Sequence, residues 1–309
     1  NQISPTQVRF ELRRGVKFHD GSPFTADDVI FSLARIKQPQ GTMQAYVNGI
    51  VEIKKIDSHT VDFILAAPNP ILLRNIVDFR MVSKSWAEKN KAVNLPDVKV
   101  KEETFATRNT NGTGPYKITG WQPDQKISMV QNADWWDKPR ASNVSEVSYL
   151  PIKSDPTRVA ALLSGDVDLL TDLPTQDVAK LKSDPKLKVV EGPEVRTIFL
   201  ALDQGSDELK GSNVKGKNPF KDKRVREALN ISVDREAIKR TIMRGLSIPA
   251  GIMVAPGVNG NTPDIDVPAK VDIDRAKKLM AEAGYPEGFE IQMNCPNNRY
   301  VNDEEVCQA

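Results

Sequence analysis

Apolar Val8, Phe10 and Leu12 alternate with Arg9, Glu11 and Arg13, the period-two pattern of a strand with one buried face. Gly15 predicts a turn, after which Val16 and Phe18 resume the alternation. His19-Asp20-Gly21-Ser22-Pro23 is a run of turn formers. Thr25 then predicts a helix cap, with Asp27 and Asp28 in the first turn, where the helix dipole favours anions, and Val29, Ile30, Leu33 and Ala34 on the buried face. Val51 to Leu65 reads as a hairpin turning at Asp57-Ser58-His59, with Val61, Phe63 and Leu65 alternating after it. Residues 83–110 are polar and weakly periodic, which predicts a helix and a surface excursion.

Asn111-Gly112-Thr113-Gly114-Pro115-Tyr116 is too rich in Gly and Pro for regular structure. Tyr116 and Ile118, then Ile127, Met129 and Val130, predict a strand pair around a Trp121-Gln122-Pro123-Asp124 turn, and Val144, Val147, Tyr149 and Ile152 a further strand. Asp155 with Pro156 behind it predicts a helix start, Val159, Leu162 and Leu163 its apolar face, and Gly165 its stop. Short strands are expected at Val167-Asp168-Leu169-Leu170, Val189-Val190, Arg196 to Leu202 and Phe289 to Met293, and a helix from Thr175 carrying Val178 and Leu181. A polar linker from Asp203 to Asn218 marks a lobe boundary. Helical patterns follow over residues 222–233, 234–244 and 272–283, with Gly245 and Gly284 as stops, and another helix begins near Asp303. The architecture is mixed α and β.

Composition narrows the functional classes. At 309 residues the chain has room for about two domains. No apolar run approaches the ~18–20 residues of a membrane span. Lys plus Arg total 43 and Asp plus Glu 41, interspersed rather than blocked, so no nucleic-acid partner is expected. The two histidines, His19 and His59, both fall in turns, and the chain carries no HExxH, GxSxG or P-loop pattern. Gly112-Thr113-Gly114 lacks the Lys-Ser/Thr ending of a phosphate loop, and Pro115 removes a backbone donor where a cradle needs one. Cys295 and Cys307 lack the spacing and companions of a zinc site. Either a short disulfide or two buried free thiols fits them. No metal, cofactor or catalytic residue is expected, and the chain does not read as an enzyme.

Several segments together resemble the family 5 extracellular solute-binding proteins of ABC importers, the dipeptide, oligopeptide and nickel-binding group. The longest is Phe10-Glu11-Leu12-Arg13-Arg14-Gly15-Val16-Lys17-Phe18-His19-Asp20-Gly21-Ser22-Pro23-Phe24-Thr25-Ala26-Asp27-Asp28-Val29. Gly112-Thr113-Gly114-Pro115-Tyr116-Lys117 and Asn132-Ala133-Asp134-Trp135-Trp136 follow, then Gly165-Asp166-Val167-Asp168 and Phe220 to Asn230 ahead of Val233-Asp234-Arg235. Any one is weak; five in family order are specific. Most look like scaffold: Asp20-Gly21 as a turn, Asp222 as a cap, and Arg224 with Arg226 paired to nearby acids.

The resemblance implies a two-lobed fold of the periplasmic-binding-protein type (type II), with an additional subdomain in lobe one, represented here in part. On that map residues 1–110 are mostly the additional subdomain, 111–202 the core of lobe one with Arg196 to Leu202 feeding the hinge, and 203–309 the beginning of lobe two. Family members start before Asn1 and continue past Ala309, so a piece of a longer protein is expected. The implied function is capture of short peptides in an inter-lobe cleft and delivery to the transmembrane permease subunits, by a periplasmic or membrane-anchored extracytoplasmic monomer. The same fold serves other solutes (nickel chelate, haem, an opine, an oligosaccharide, an antimicrobial peptide), and more distantly a ligand-sensing domain or an enzyme. The residues expected to meet ligand are Arg80 and Met81 after an apolar strand, the Asn111-Gly112-Thr113 loop, and Asp172-Leu173-Pro174-Thr175, where a strand end beside a helix N-terminus favours a carboxylate. Gly112 and Thr175 fit turn geometry and capping equally well.

Overall fold

The computed structural model describes residues 1–140, 142–192 and 194–309. The chain divides into two compact units, Asn1–Pro151 and Ile152–Ala309.

The N-terminal unit is built on an antiparallel sheet of order β1-β2-β4-β3, with β1 Gln2–Ser4, β2 Gln7–Glu11, β3 Ile50–Asp57 and β4 Thr60–Leu65. The period of two splits each strand between two environments. Val61, Phe63 and Leu65 of β4 enter the core with Ile53, Ile50 and the face Val29 and Leu33 of the helix Ala26–Ile36. Phe63 lies 4.6 Å from the Phe10 ring and 6.3 Å from Phe79, centroid to centroid. On the opposite face Asp62, only 2% exposed, accepts from Arg9 Nε at 2.7 Å, Arg9 Nη2 at 2.8 Å and Gln7 Nε2 at 2.8 Å. Those three bonds answer the cost of burying a carboxylate.

Local expectations largely hold in this unit. The hairpin turns at Ser58-His59, between Asp57 and Thr60. Thr25 caps the helix in a reciprocal box, its backbone N–H donating to Asp28 Oδ2 at 2.8 Å. Asp28 Oδ1 also accepts from Lys84 N at 2.9 Å and so pins the start of the helix Lys84–Lys89. The Val16–Phe18 alternation does not form a strand. Gly15 turns at φ +75°, and the segment makes only an isolated bridge, Lys17 to Pro23, that buries Val16 and Phe18. A second sheet, β5 Tyr116–Gln122, β6 Lys126–Gln131 and β7 Glu146–Tyr149, is antiparallel in that order. Its β5–β6 turn lies one step later than expected, because Trp121 and Gln122 pair with Ile127 and Lys126. Trp136 stacks beneath the Arg13 guanidinium at 4.3 Å and lies 5.9 Å from Trp135, a packing role.

No strand occurs among the described residues of the C-terminal unit. The four expected strands there have no ladder partners and no regular structure, and Leu169 and Val190 are 80% and 81% exposed. Alternation specifies which face would be buried, but a strand exists only when a neighbour supplies its hydrogen bonds. The expected hinge strand, Arg196 to Leu202, is one of the four.

The helices fare better because their signals are local. Asp155–Ser164 begins after Ser154, one residue before the expected cap, and ends at Gly165 with φ +82°. Lys223–Ser232 is capped by Asp222, which accepts from Arg224 N at 2.8 Å. The Arg224 side chain and backbone N–H together hold the Asp222 carboxyl down to about 2. Arg226 finds carbonyls instead of an acid, donating to Phe220 O at 2.7 Å and Lys221 O at 3.0 Å. The 234–244 pattern is one α turn, Arg235–Ala237, continued as a π-helical turn, Ile238–Ile242. Ile273–Glu282 packs on Lys223–Ser232 through Ala276, Ala228 and Ile231. Phe220, Val225, Leu209 and Tyr285 make a second core, with Phe289 at 4.9 Å from Tyr285.

Candidate functional site

The glycines of the 111–114 loop allow close backbone approach, and the group that approaches is His19. Its backbone N–H donates to Gly112 O at 2.8 Å. The ring Nε2 lies 3.1 Å from Gly114 O, an acceptor only, so Nε2 carries the proton; Nδ1 then accepts from Gly112 N at 3.4 Å. A Cβ at Gly112 would stand 3.5 Å from His19 Cε1, so the ring fills the space beside that glycine. Asn111 Oδ1 accepts from Asp20 N at 3.1 Å, Asn132 Nδ2 donates to Gly114 O at 3.0 Å, and Lys117 Nζ donates to His19 O at 3.0 Å. The Asn111 Nδ2 group is buried and has no partner.

Burial pushes the His19 pKa below its ordinary 6.5, against the pull of the Gly114 carbonyl and with the help of Lys117. The folded state therefore takes up this proton later than the unfolded chain. The contribution of the docked loop is complete above pH 6.5, declines as pH falls from 6.5 toward the folded pKa, and is level below it. A proton on Nδ1 would also face the Gly112 N–H, donor against donor. Following the ring proton of His19 by NMR should give a midpoint below 6.5, and a midpoint at or above 6.5 would remove the neutral-ring assignment.

The other expected residues of this unit are placed differently. Arg80 is 78% exposed on its side chain and pairs with Asp78 at 3.0 Å. Met81 packs against the core of the sheet. Val82 N donates to Ser32 Oγ at 2.8 Å, so the segment is tied to the Ala26–Ile36 helix rather than to the 111–113 loop. Two surface recesses, about 190 Å³ beside Lys37, Val47 and Ile50 and about 440 Å³ beside Arg13, Arg14 and His59, contain none of the expected residues.

In the C-terminal unit Asp172, at φ +54°, adopts the left-handed region that non-glycine residues rarely occupy. Its carbonyl accepts from Arg158 Nη2 at 3.0 Å, and the same guanidinium binds Asp155 Oδ1 at 2.5 Å. Pro174 is buried, and Thr175, 6% exposed, lies with Oγ1 3.1 Å from Ile242 O and 3.0 Å from the Asn302 side-chain amide. The helix begins at Val178, not Thr175, because Asp177 N bonds back to Pro174 O and makes a turn first. That helix has five residues, and among the described residues no strand precedes it. Arg158 and Asn302 escaped sequence reasoning. Asn302 carries a cap signal before the Asp303–Gln308 helix, but nothing local connects it to Thr175. Cys295 and Cys307 are joined as a disulfide, Cα to Cα 6.1 Å. No group of three or more His, Cys, Asp or Glu side chains suited to a metal occurs among the described residues.

The family model for bacterial extracellular solute-binding proteins, family 5, matches residues 3–309. The chain is 30% identical over 303 residues to a haem-binding protein A of Haemophilus influenzae, covering 91% of this chain and 51% of that protein. It is 29% identical over 305 residues to a dipeptide-binding protein of Escherichia coli K12, covering 92% and 53%. Among solved structures, the binding protein AgaA from A. tumefaciens R10 in complex with agropinic acid superposes with a TM-score of 0.69 at 29% identity, covering 93% of this chain and 55% of the other. The ABC transporter-associated periplasmic binding protein DppA from Helicobacter pylori, in complex with peptide STSA, gives 0.72 at 25%, covering 93% and 56%. The chain thus spans about half the length of the curated relatives it matches. With the family model running from residue 3 to residue 309, this chain belongs to the family 5 bacterial extracellular solute-binding proteins.

Proposed function

We propose that the chain is part of the substrate-binding subunit of an ABC importer that captures short peptides and hands them to the membrane permease. The observation that carries this reading is the match to an extracellular solute-binding family over residues 3–309. The dipeptide-binding relative and the peptide-bound DppA support peptide as the solute. In this reading residues 1–110 are mostly the additional subdomain, 111–202 the core of lobe one and 203–309 the start of lobe two. The protein works as a monomer outside the cytoplasmic membrane, by stoichiometric capture without turnover. Among the described residues no helix is long and apolar enough to cross a membrane. Ligand shifts the opening equilibrium of such a protein only by its preference for the closed form. Pairing with the ligand's main chain supplies affinity while tolerating varied side chains. Arg80 would offer a charged head to a peptide carboxylate, and the unpartnered Asn111 Nδ2 a donor.

A second solute class has direct support from the haem-binding relative and the agropinic acid complex. Thermal shift and calorimetry on a family-length protein, with dipeptides, tripeptides, an opine and haemin, separate the two. A peptide at a hundredfold excess over Kd should stabilise the protein by ~2.7 kcal/mol. Stabilisation by haemin or the opine alone would replace peptide as the solute. Arg80→Ala should weaken peptide binding, and an unchanged Kd would take Arg80 out of the site.

A further inference from the structure

The Thr175 hydroxyl has one proton and two neighbours drawn as acceptors, Ile242 O at 3.1 Å and Asn302 Oδ1 at 3.0 Å. One proton cannot serve both. Turning the Asn302 amide by half a turn resolves the conflict: Nδ2 donates to Thr175 Oγ1, and Oγ1 donates to Ile242 O. Asn302 is therefore the group that completes the hydrogen bonding of a buried threonine at one end of the Asp172–Thr175 loop. The other end is held by Arg158 at the Asp172 carbonyl.

Asn302 itself stands in an unusual place. It adopts the left-handed region, φ +57°, which asparagine tolerates better than most side chains. It lies inside the loop closed by the Cys295–Cys307 disulfide. Within that loop the buried Asp303 carboxylate accepts from Arg299 N at 2.8 Å, Tyr300 N at 3.4 Å and Glu304 N at 2.9 Å, which wraps the backbone around residue 302. Tyr300 is covered in turn by the Arg196 guanidinium at 5.7 Å.

We propose that Asn302 is a positioning residue for the Asp172–Thr175 loop and that the Cys295–Cys307 disulfide makes this positioning redox-dependent. Opening requires a dithiol reductant. One of its thiolates attacks a cystine sulfur and breaks the S–S bond, giving a mixed disulfide. Its second thiolate then displaces the remaining cysteine, the reductant leaves as a cyclic disulfide, and the two cysteines take up the two protons it lost. With the loop open, Asn302 loses the closure that sets its backbone, and Thr175 loses its second partner. Any effect on solute affinity rests on the reading that the Asp172–Thr175 loop meets ligand; the effect on loop order does not.

Hydrogen exchange with mass spectrometry on the intact protein, oxidised and after dithiothreitol, tests this. Loss of one net hydrogen bond corresponds to about a fivefold rise in opening, so exchange over residues 172–177 should rise about fivefold on reduction. Asn302→Gly keeps the left-handed backbone and removes the amide. It should give the same rise in the oxidised protein, and reduction should add nothing further at 172–177. Thr175→Val, nearly isosteric, should behave alike. Reduction that loosens 295–307 and leaves 172–177 unchanged would overturn the proposal, as would additive effects of Asn302→Gly and reduction. Because native protein is reduced in place, the test does not depend on cysteine variants folding. Peptide affinity measured alongside separates the two readings: a loosened loop with unchanged affinity leaves the positioning intact and removes the loop from the ligand site.

Discussion

Replacing Phe63 by alanine should lower the unfolding free energy of the N-terminal unit by about 3–5 kcal/mol. The ring is 3% exposed, at the centre of the Phe10–Phe63–Phe79 stack on the inner face of the sheet. Truncation removes apolar area and leaves a cavity that cannot collapse, because Val61 and Leu65 on either side are fixed by the β2 and β3 ladders. Phe63→Leu, which keeps most of the volume, should cost well under half as much. Hydrogen exchange resolved by segment is the suitable measurement, since a two-unit chain need not unfold in one step. Protection should fall over 50–65 and 26–36 and stay unchanged over 223–232. Loss of less than about 1 kcal/mol would mean that the Phe63 site is not close-packed.

Asp28→Ala should cost about 2–4 kcal/mol, more than an ordinary cap. An exposed cap joins one side chain to one helix end. Asp28 is 5% exposed and serves two elements, receiving Thr25 N on one oxygen and Lys84 N on the other. Alanine leaves both N–H groups without acceptors in a water-poor site. Asp28→Asn retains one acceptor oxygen and should recover part of the loss. Denaturant titration of the three proteins gives the order wild type, Asn, Ala; equal stability of wild type and Ala would confine Asp28 to a solvated role.

These two residues also illustrate what was legible beforehand. Phe63 announces itself by alternation and Thr25-to-Asp28 by cap spacing, because both signals lie within one or two turns of chain. The second bond of Asp28, to a residue 56 positions away, carries no local mark. The same holds at the candidate sites. His19 reads as a turn residue and is one, yet its ring also docks the 112–114 loop more than 90 residues on. Thr175 reads as a helix start, and its hydroxyl belongs to a contact 127 residues distant. The strands expected in the C-terminal unit do not form among the described residues, for a related reason. Alternation at Phe289 to Met293 or Val167 to Leu170 is a property of one segment, whereas a ladder is a property of two. The motifs that identify the family are mostly caps, turns and core faces, which is why they reveal the scaffold and leave the solute to experiment.

The sheet order β1-β2-β4-β3 puts the longest strand, β3, at an edge. An eight-residue edge with free backbone groups would ordinarily invite another chain to add to it. Here Glu52, Lys54, Lys55 and Asp57 are exposed along it, Lys55 is held to Asp27 at 2.8 Å, and the register slips twice, near Ile50 and near Asp57. A docking strand would meet charges of both signs on an interrupted template. The opposite edge, β1, has only three residues and a slip of its own. Both flanks of this sheet are thereby poor nuclei for intermolecular β-pairing, even though the inner strands β2 and β4 are rich in β-forming residues.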